Sequence, residues 1–131
     1  LEWSKGTDIS LIPPNIDPSQ WTIIIDGNVE NTTTFTYNQL KTFTSVEEYA
    51  TLSCISNTVG GPYIGTALWE GVYLSTVLEK VNLKPEAKYV VFYCSDGYSV
   101  AIPLESALRE ETILAYRMNG EDLSNIHGFP I

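Results

Sequence analysis

A chain of 131 residues, 44% apolar and 11% aromatic, has the length and composition of one domain with a core of its own, not of a disordered tail. Seven Lys and Arg side chains stand against 16 Asp and Glu, a formal charge of −9. The cations are scattered, so neither nucleic acid nor an anionic membrane surface is expected as a partner. The longest uninterrupted apolar run, Tyr89 to Cys94, falls far short of the ~20 residues that span a bilayer, and no membrane span is expected.

Residues 1–20 read as an extended lead-in, because Pro13, Pro14 and Pro18 remove backbone donors and favour extended or turn conformations. The chain opens on Leu1 and has its single methionine at Met118, which suggests a processed segment whose targeting sequence has been removed. Trp21 to Val29, with Ile23, Ile24 and Ile25, predicts a strand ending at the Asp26-Gly27 turn, and Thr32 to Thr36 its hairpin partner. Tyr37 to Phe43 reads as a short helix capped by Thr36. Val46 to Ile55 predicts a second, longer strand, and Gly60, Gly61, Pro62 and Gly65 then mark a loop.

Leu74, Val77, Leu78 and Val81 fall at i, i+3, i+4 and i+7, one face of a helix. Tyr89 to Cys94 reads as a buried strand that turns at Asp96-Gly97 and returns as Tyr98 to Ile102. Pro103 is placed in the first turn of a helix through Leu108, and Ile113 to Met118 forms a last strand before the hairpin signal Asn119-Gly120. Strand hairpins with short helices between them make this a single α+β domain over residues 1–131, with mixed β-sheets in place of regular βαβ winding.

Most catalytic patterns are missing. The one histidine is His127, and no Gly-x-Ser-x-Gly elbow, phosphate loop or three-glycine dinucleotide fingerprint occurs. Cys54, Cys94 and His127 match no zinc spacing, and the adjacent pairs Glu47-Glu48 and Glu110-Glu111 read as solvated. Cys54 stands apart because it ends a strand and opens a glycine-rich loop, where a rigid scaffold presents reactive side chains. Two readings stay open for it: a buried small hydrophobe, or a thiolate ligand to a soft or redox-active metal. Cys94, inside its apolar run, is expected to be buried, and a Cys54 to Cys94 bridge is open on count alone.

Five blocks in order resemble the molybdopterin-binding domain of sulfite oxidase-type oxidoreductases. They are Thr51-Leu52-Ser53-Cys54-Ile55-Ser56-Asn57; Trp69-x-Gly71-Val72-x-Leu74; Asp96-Gly97-Tyr98-x-x-x-Ile102-Pro103-Leu104; Ala115-Tyr116-x-Met118-Asn119-Gly120; and His127-Gly128-x-Pro130. Asp17, Trp21 and Asp26-Gly27-x-Val29 are similar to that family's first strand and hairpin. The resemblance implies the family's fold and a molybdenum held by a pyranopterin dithiolene, with Cys54 as the one protein ligand. It implies oxygen-atom transfer to or from a small sulfite-like oxyanion or sulfoxide, with electrons leaving to a haem or cytochrome-type partner.

The same resemblance puts Asn57, Gly60 and Gly61 beside the pterin, makes Tyr98 the active-site tyrosine and sets His127 near the cofactor's phosphate. Read without it, Tyr98 is a half-buried strand aromatic and His127 a surface-loop histidine. Thr58 and Val59 stand where many sulfite oxidases carry basic residues, so sulfite itself does not follow. The chain stops at Ile131, where the family continues with phosphate-binding cations, which leads us to expect a domain truncated at its C-terminal end, an apo fragment without activity of its own. The alternative is a catalytically silent binding or scaffold domain that keeps the fold without the cofactor. Analogy with prokaryotic relatives implies an extracytoplasmic location.

Overall fold

In the computed structural model, residues 16–94 and 97–131 are described; residues 1–15 of the lead-in, and Asp96 of the Asp96-Gly97 turn, lie outside them. β1 (Thr22–Ile25) pairs antiparallel with β2 (Thr33–Thr36), placing Ile23 opposite Phe35. The first strand is shorter than its sequence suggests because the chain turns at Asp26-Gly27. Val29 instead bridges to Leu83 and is buried. Thr36 and Gln39 then form a reciprocal capping box: Gln39 N–H donates to Thr36 Oγ1 (3.1 Å) and Thr36 N–H to Gln39 Oε1 (2.8 Å). This starts α1 (Tyr37–Leu40), a single turn that stops short of Phe43. Phe43 packs edge-on against Phe35, 6.0 Å between ring centroids.

β3 (Val46–Ser53) and β4 (Ile64–Tyr73) form a long hairpin, and β7 (Ile113–Met118) and β8 (Glu121–Asp122) extend it to four antiparallel strands ordered β3-β4-β7-β8. β4 is the main element that the sequence reading lacks. Gly65, near its start, reads as part of the preceding loop, and Gly71, near its end, lies at a register shift between β4 and β7. At the turn from β7 to β8 both Asn119 and Gly120 have positive φ, 54° and 81°, as a two-residue hairpin of this hand requires. Asn119 also adds a rung to the β4–β7 ladder. Its N–H donates to the Leu68 carbonyl (2.7 Å), and its Oδ1 accepts from Leu68 N–H (3.0 Å).

α2 (Leu74–Glu79) follows β4 directly, and its stripe of Leu74, Val77, Leu78 and, just past its end, Val81 is buried as the spacing predicts. These residues meet Leu40, Val72, Leu114 and Tyr116 in the core. β5 (Tyr89–Tyr93) and β6 (Ser99–Pro103) form a separate two-stranded sheet, followed by α3 (Leu104–Ala107). Here the expected buried strand is corrected: Val90 and Phe92 pack on the core, while Tyr89 and Tyr93 are 66% and 82% exposed. A two-stranded sheet covers only one of its faces, so its other face stays wet. Pro103 closes β6 and flanks α3 without entering it.

The architecture is α+β, mixed antiparallel sheets with short helices, and no helix among the described residues is long and apolar enough to cross a membrane. The core gathers at the α2 end of β4. At the opposite end of the hairpin Thr51, Leu52, Ser53 and Ile64 are all exposed, so the loop that follows Ser53 is carried well clear of the core.

Candidate functional site

Ten residues, 54–63, join β3 to β4, and four hydrogen bonds tie them into a closed loop. Cys54 N–H donates to the Tyr63 carbonyl (2.9 Å), adding a rung at the base. Asn57 N–H donates to the Cys54 carbonyl (2.9 Å) and Gly61 N–H to the Thr58 carbonyl (2.8 Å), making two successive tight turns. The fourth bond comes from a side chain: Asn57 Oδ1 accepts from Tyr63 N–H at 2.9 Å. An Asn amide is suited to replacing a backbone partner in this way.

The glycines follow from that frame. Gly60 sits at φ +74°, in the left-handed region that the second turn demands. A Cβ at Gly61 would stand 2.6 Å from Asn57 Oδ1 and 2.9 Å from the Thr58 carbonyl, so no side chain fits there. The structure thus brings Cys54, Asn57, Gly60 and Gly61 together, and it gives the last three the work of holding the loop.

Cys54 is partly exposed, and its Sγ lies 3.0 Å from Ser56 Oγ. Hydrogen bonds from the Ser56 side chain and backbone hold the thiol below the usual cysteine range. Thiolate is the nucleophile in alkylation, so a lowered pKa moves the rise of the rate profile toward lower pH. Peptide-resolved iodoacetamide labelling of the folded metal-free protein is therefore expected to reach its half-maximal rate for Cys54 at a lower pH than for a free cysteine thiol. A profile at or above that of the free thiol contradicts the geometry. Cys94 corrects its expectation, for it is exposed at the end of β5, past the strand's core-facing residues. Both cysteines are free thiols, which answers the question of a bridge.

Tyr98 and His127 come from other elements. Tyr98 precedes β6 in the β5–β6 connection and is 63% exposed; its carbonyl accepts from Cys94 N–H at 2.8 Å. His127 closes a single 3-10 turn, Asn125–His127, and its Nδ1 lies 2.7 Å from Ser124 Oγ. Ser56 and Ser124 are contacts that the sequence reading does not single out. The one available hint was a hydroxyl two residues after the cysteine and another three before the histidine.

The fold also gathers Glu47, Glu48, Glu110 and Glu111, with Arg109, around one open cleft of about 600 Å³. Among the described residues no group of three or more His, Cys, Asp or Glu side chains is placed to hold a metal ion. A metal at Cys54 must therefore bring most of its ligands with it.

Comparison with known proteins is consistent across sequence and structure. The family described as oxidoreductase molybdopterin binding domain matches residues 10–131. The uncharacterized oxidoreductase YuiH of Bacillus subtilis is 30% identical over 120 residues, covering 92% of this chain and 59% of that protein. Mitochondrial sulfite oxidase of Drosophila melanogaster is 32% identical over 141 residues, covering 90% of this chain and 24% of that protein. In the crystal structure of the sulfane dehydrogenase SoxCD from Paracoccus pantotrophus, one chain superposes with a TM-score of 0.80 at 26% identity. That match covers 90% of this chain and 34% of the other. The chain thus spans less than two thirds of the length of each of these relatives.

Proposed function

The chain belongs to the oxidoreductase molybdopterin-binding domain family, and from that membership we propose a molybdopterin-dependent oxidoreductase that transfers an oxygen atom to or from a small substrate. The observation that carries this reading is Cys54, a partly exposed thiol on a loop closed by its own hydrogen bonds, with no cluster of further ligands among the described residues. That donor set fits molybdopterin. A cofactor whose metal already has two dithiolene sulfurs needs one soft protein ligand, and a thiolate is soft. When bound, the group supplies two-electron exchange coupled to oxygen-atom transfer.

In this reading Cys54 is the metal ligand, and Asn57, Gly60 and Gly61 keep its loop in shape beside the pterin. Tyr98 offers its phenol as a donor to an oxo group of the cofactor or to an anionic substrate, a role that suits an exposed tyrosine. His127 serves the cofactor's phosphate. In the tautomer in which the Ser124 hydroxyl donates to Nδ1, Nε2 bears the ring proton and can donate to a phosphate. The loop from Cys54 to Tyr63 contains no Lys or Arg, which favours a neutral sulfoxide over a sulfite-like oxyanion. A haem or cytochrome-type electron partner and an extracytoplasmic location complete the proposal.

Metal and pterin analysis of the protein purified from its own host is the direct test. About one molybdenum per chain, with pterin, is expected from one thiolate ligand. Folded protein from a cofactor-producing host that lacks both overturns the reading and leaves the cofactor-free scaffold domain.

A further inference from the structure

We infer that Ser56 is a positioning residue for Cys54: its hydroxyl fixes the direction of the sulfur and draws off part of the charge that the thiolate gives to a metal. The inference rests on Cys54 being the metal ligand. The turn closed by Asn57 N–H on the Cys54 carbonyl (2.9 Å) brings Ser56 back over the residue two positions earlier, and Oγ reaches Sγ at 3.0 Å. Asn57 Oδ1 on Tyr63 N–H holds that turn against the far side of the loop, so the contact is built into the loop's frame. Ser56 itself is exposed.

Removing its hydroxyl opens no cavity and strands no buried group, so a purely structural role predicts almost no effect. The chemistry is directional. A metal-bound thiolate has no proton to donate, so the hydroxyl is the donor and the sulfur the acceptor. A donor on a ligating sulfur withdraws electron density and makes the metal easier to reduce, one of the levers by which outer partners set a potential.

The test uses the holoprotein and three variants, Ser56→Ala, Ser56→Thr and Cys54→Ser, followed by metal content and by a redox titration monitored through the Mo(V) paramagnetic signal. Ser56→Ala is expected to keep its metal and its fold, to shift the midpoint to lower potential and to alter the signal. Ser56→Thr, which restores a hydroxyl, is expected to return both to wild type. Wild-type potential and signal in Ser56→Ala overturn the inference, as do equal shifts in the alanine and threonine variants. If Ser56→Ala loses the metal, Ser56→Thr decides: a wild-type midpoint there supports the hydroxyl's role, and metal loss there too overturns it. A Cys54→Ser protein with the wild-type signal removes the ligand reading itself, an outcome distinct from a failure at Ser56.

Discussion

Cys54→Ser is expected to lower turnover of the holoprotein by more than about 100-fold while leaving the domain folded. Loss of an outer-shell partner of a metal ligand already costs roughly 10–100-fold, and the ligand itself is worth more. Serine keeps the size of the side chain but replaces a soft, easily ionised thiol with a hard hydroxyl that stays protonated at neutral pH. The loop does not depend on the sulfur for its shape. Cys54 contributes its N–H to Tyr63 and its carbonyl to Asn57, and both backbone bonds survive the substitution. Stability is therefore expected within about 0.5 kcal/mol of wild type, as for other surface changes. Cys94→Ser is the matched control, a free and exposed thiol with no assigned role, and full activity is expected. Full molybdenum loading with turnover in Cys54→Ser would sink the ligand assignment, and equal losses in both variants would point to general thiol damage.

Legibility in the sequence follows how local each determinant is. The strand into Cys54 and the loop after it were readable because strand formers give way to clustered glycines within a few residues. The capping box at Thr36 and the Asn119-Gly120 turn were readable for the same reason. β4 was not, because the need for Gly71 comes from β7, more than forty residues later in the chain. The run Tyr89 to Cys94 reads as buried only if tyrosine counts as apolar; the fold instead uses its alternation, with Val90 and Phe92 inward and three tyrosine and valine side chains outward.

Ser56 and Ser124 sit close in sequence to their partners, yet only the turn geometry shows that the hydroxyls reach them. The two glutamate pairs read as solvated, and their shared cleft needs β4, paired with β3 on one side and β7 on the other, to bring the start of β3 near the residues that precede β7. The ordered family blocks, with the glycine loop that follows the first of them, named candidate site residues without any of this geometry. Four of them, Cys54, Asn57, Gly60 and Gly61, do fall on one loop, whereas Tyr98 and His127 stand on separate elements.

Gly71→Ala tests the other end of the same hairpin and is expected to destabilise the protein by about 3 kcal/mol, the range in which overpacked cores fail. Along β4, Glu70 pairs with Arg117 but Gly71 with Ala115, so Tyr116 is the extra residue that the bulge accommodates. The bulge turns Tyr116 into the core, where its hydroxyl lies 3.4 Å from Glu70 Oε1. Gly71 permits the close approach on which this depends. A Cβ there would collide with the Leu114 carbonyl oxygen and stand 2.8 Å from Ala115 Cα, all backbone atoms with no rotamer to yield. Relief requires moving β7, and with it Leu114 against Val72.

At this domain size the loss corresponds to a fall of about 10 °C in Tm. Gly27→Ala separates steric overlap from backbone strain. Nothing lies within 4 Å of a Cβ at Gly27, and only its φ of +87° opposes alanine, at about 1–2 kcal/mol. Urea unfolding of the two variants is expected to give the larger midpoint shift to Gly71→Ala, and a wild-type midpoint there means that the strands are not this close in solution. Because Gly71 lies at the core end of β4 and Cys54 just past the other end of the hairpin, the folded fraction of Gly71→Ala keeps the thiol loop intact. Its Cys54 alkylation profile is therefore expected to match wild type at low temperature, which separates what holds the fold from what prepares the sulfur.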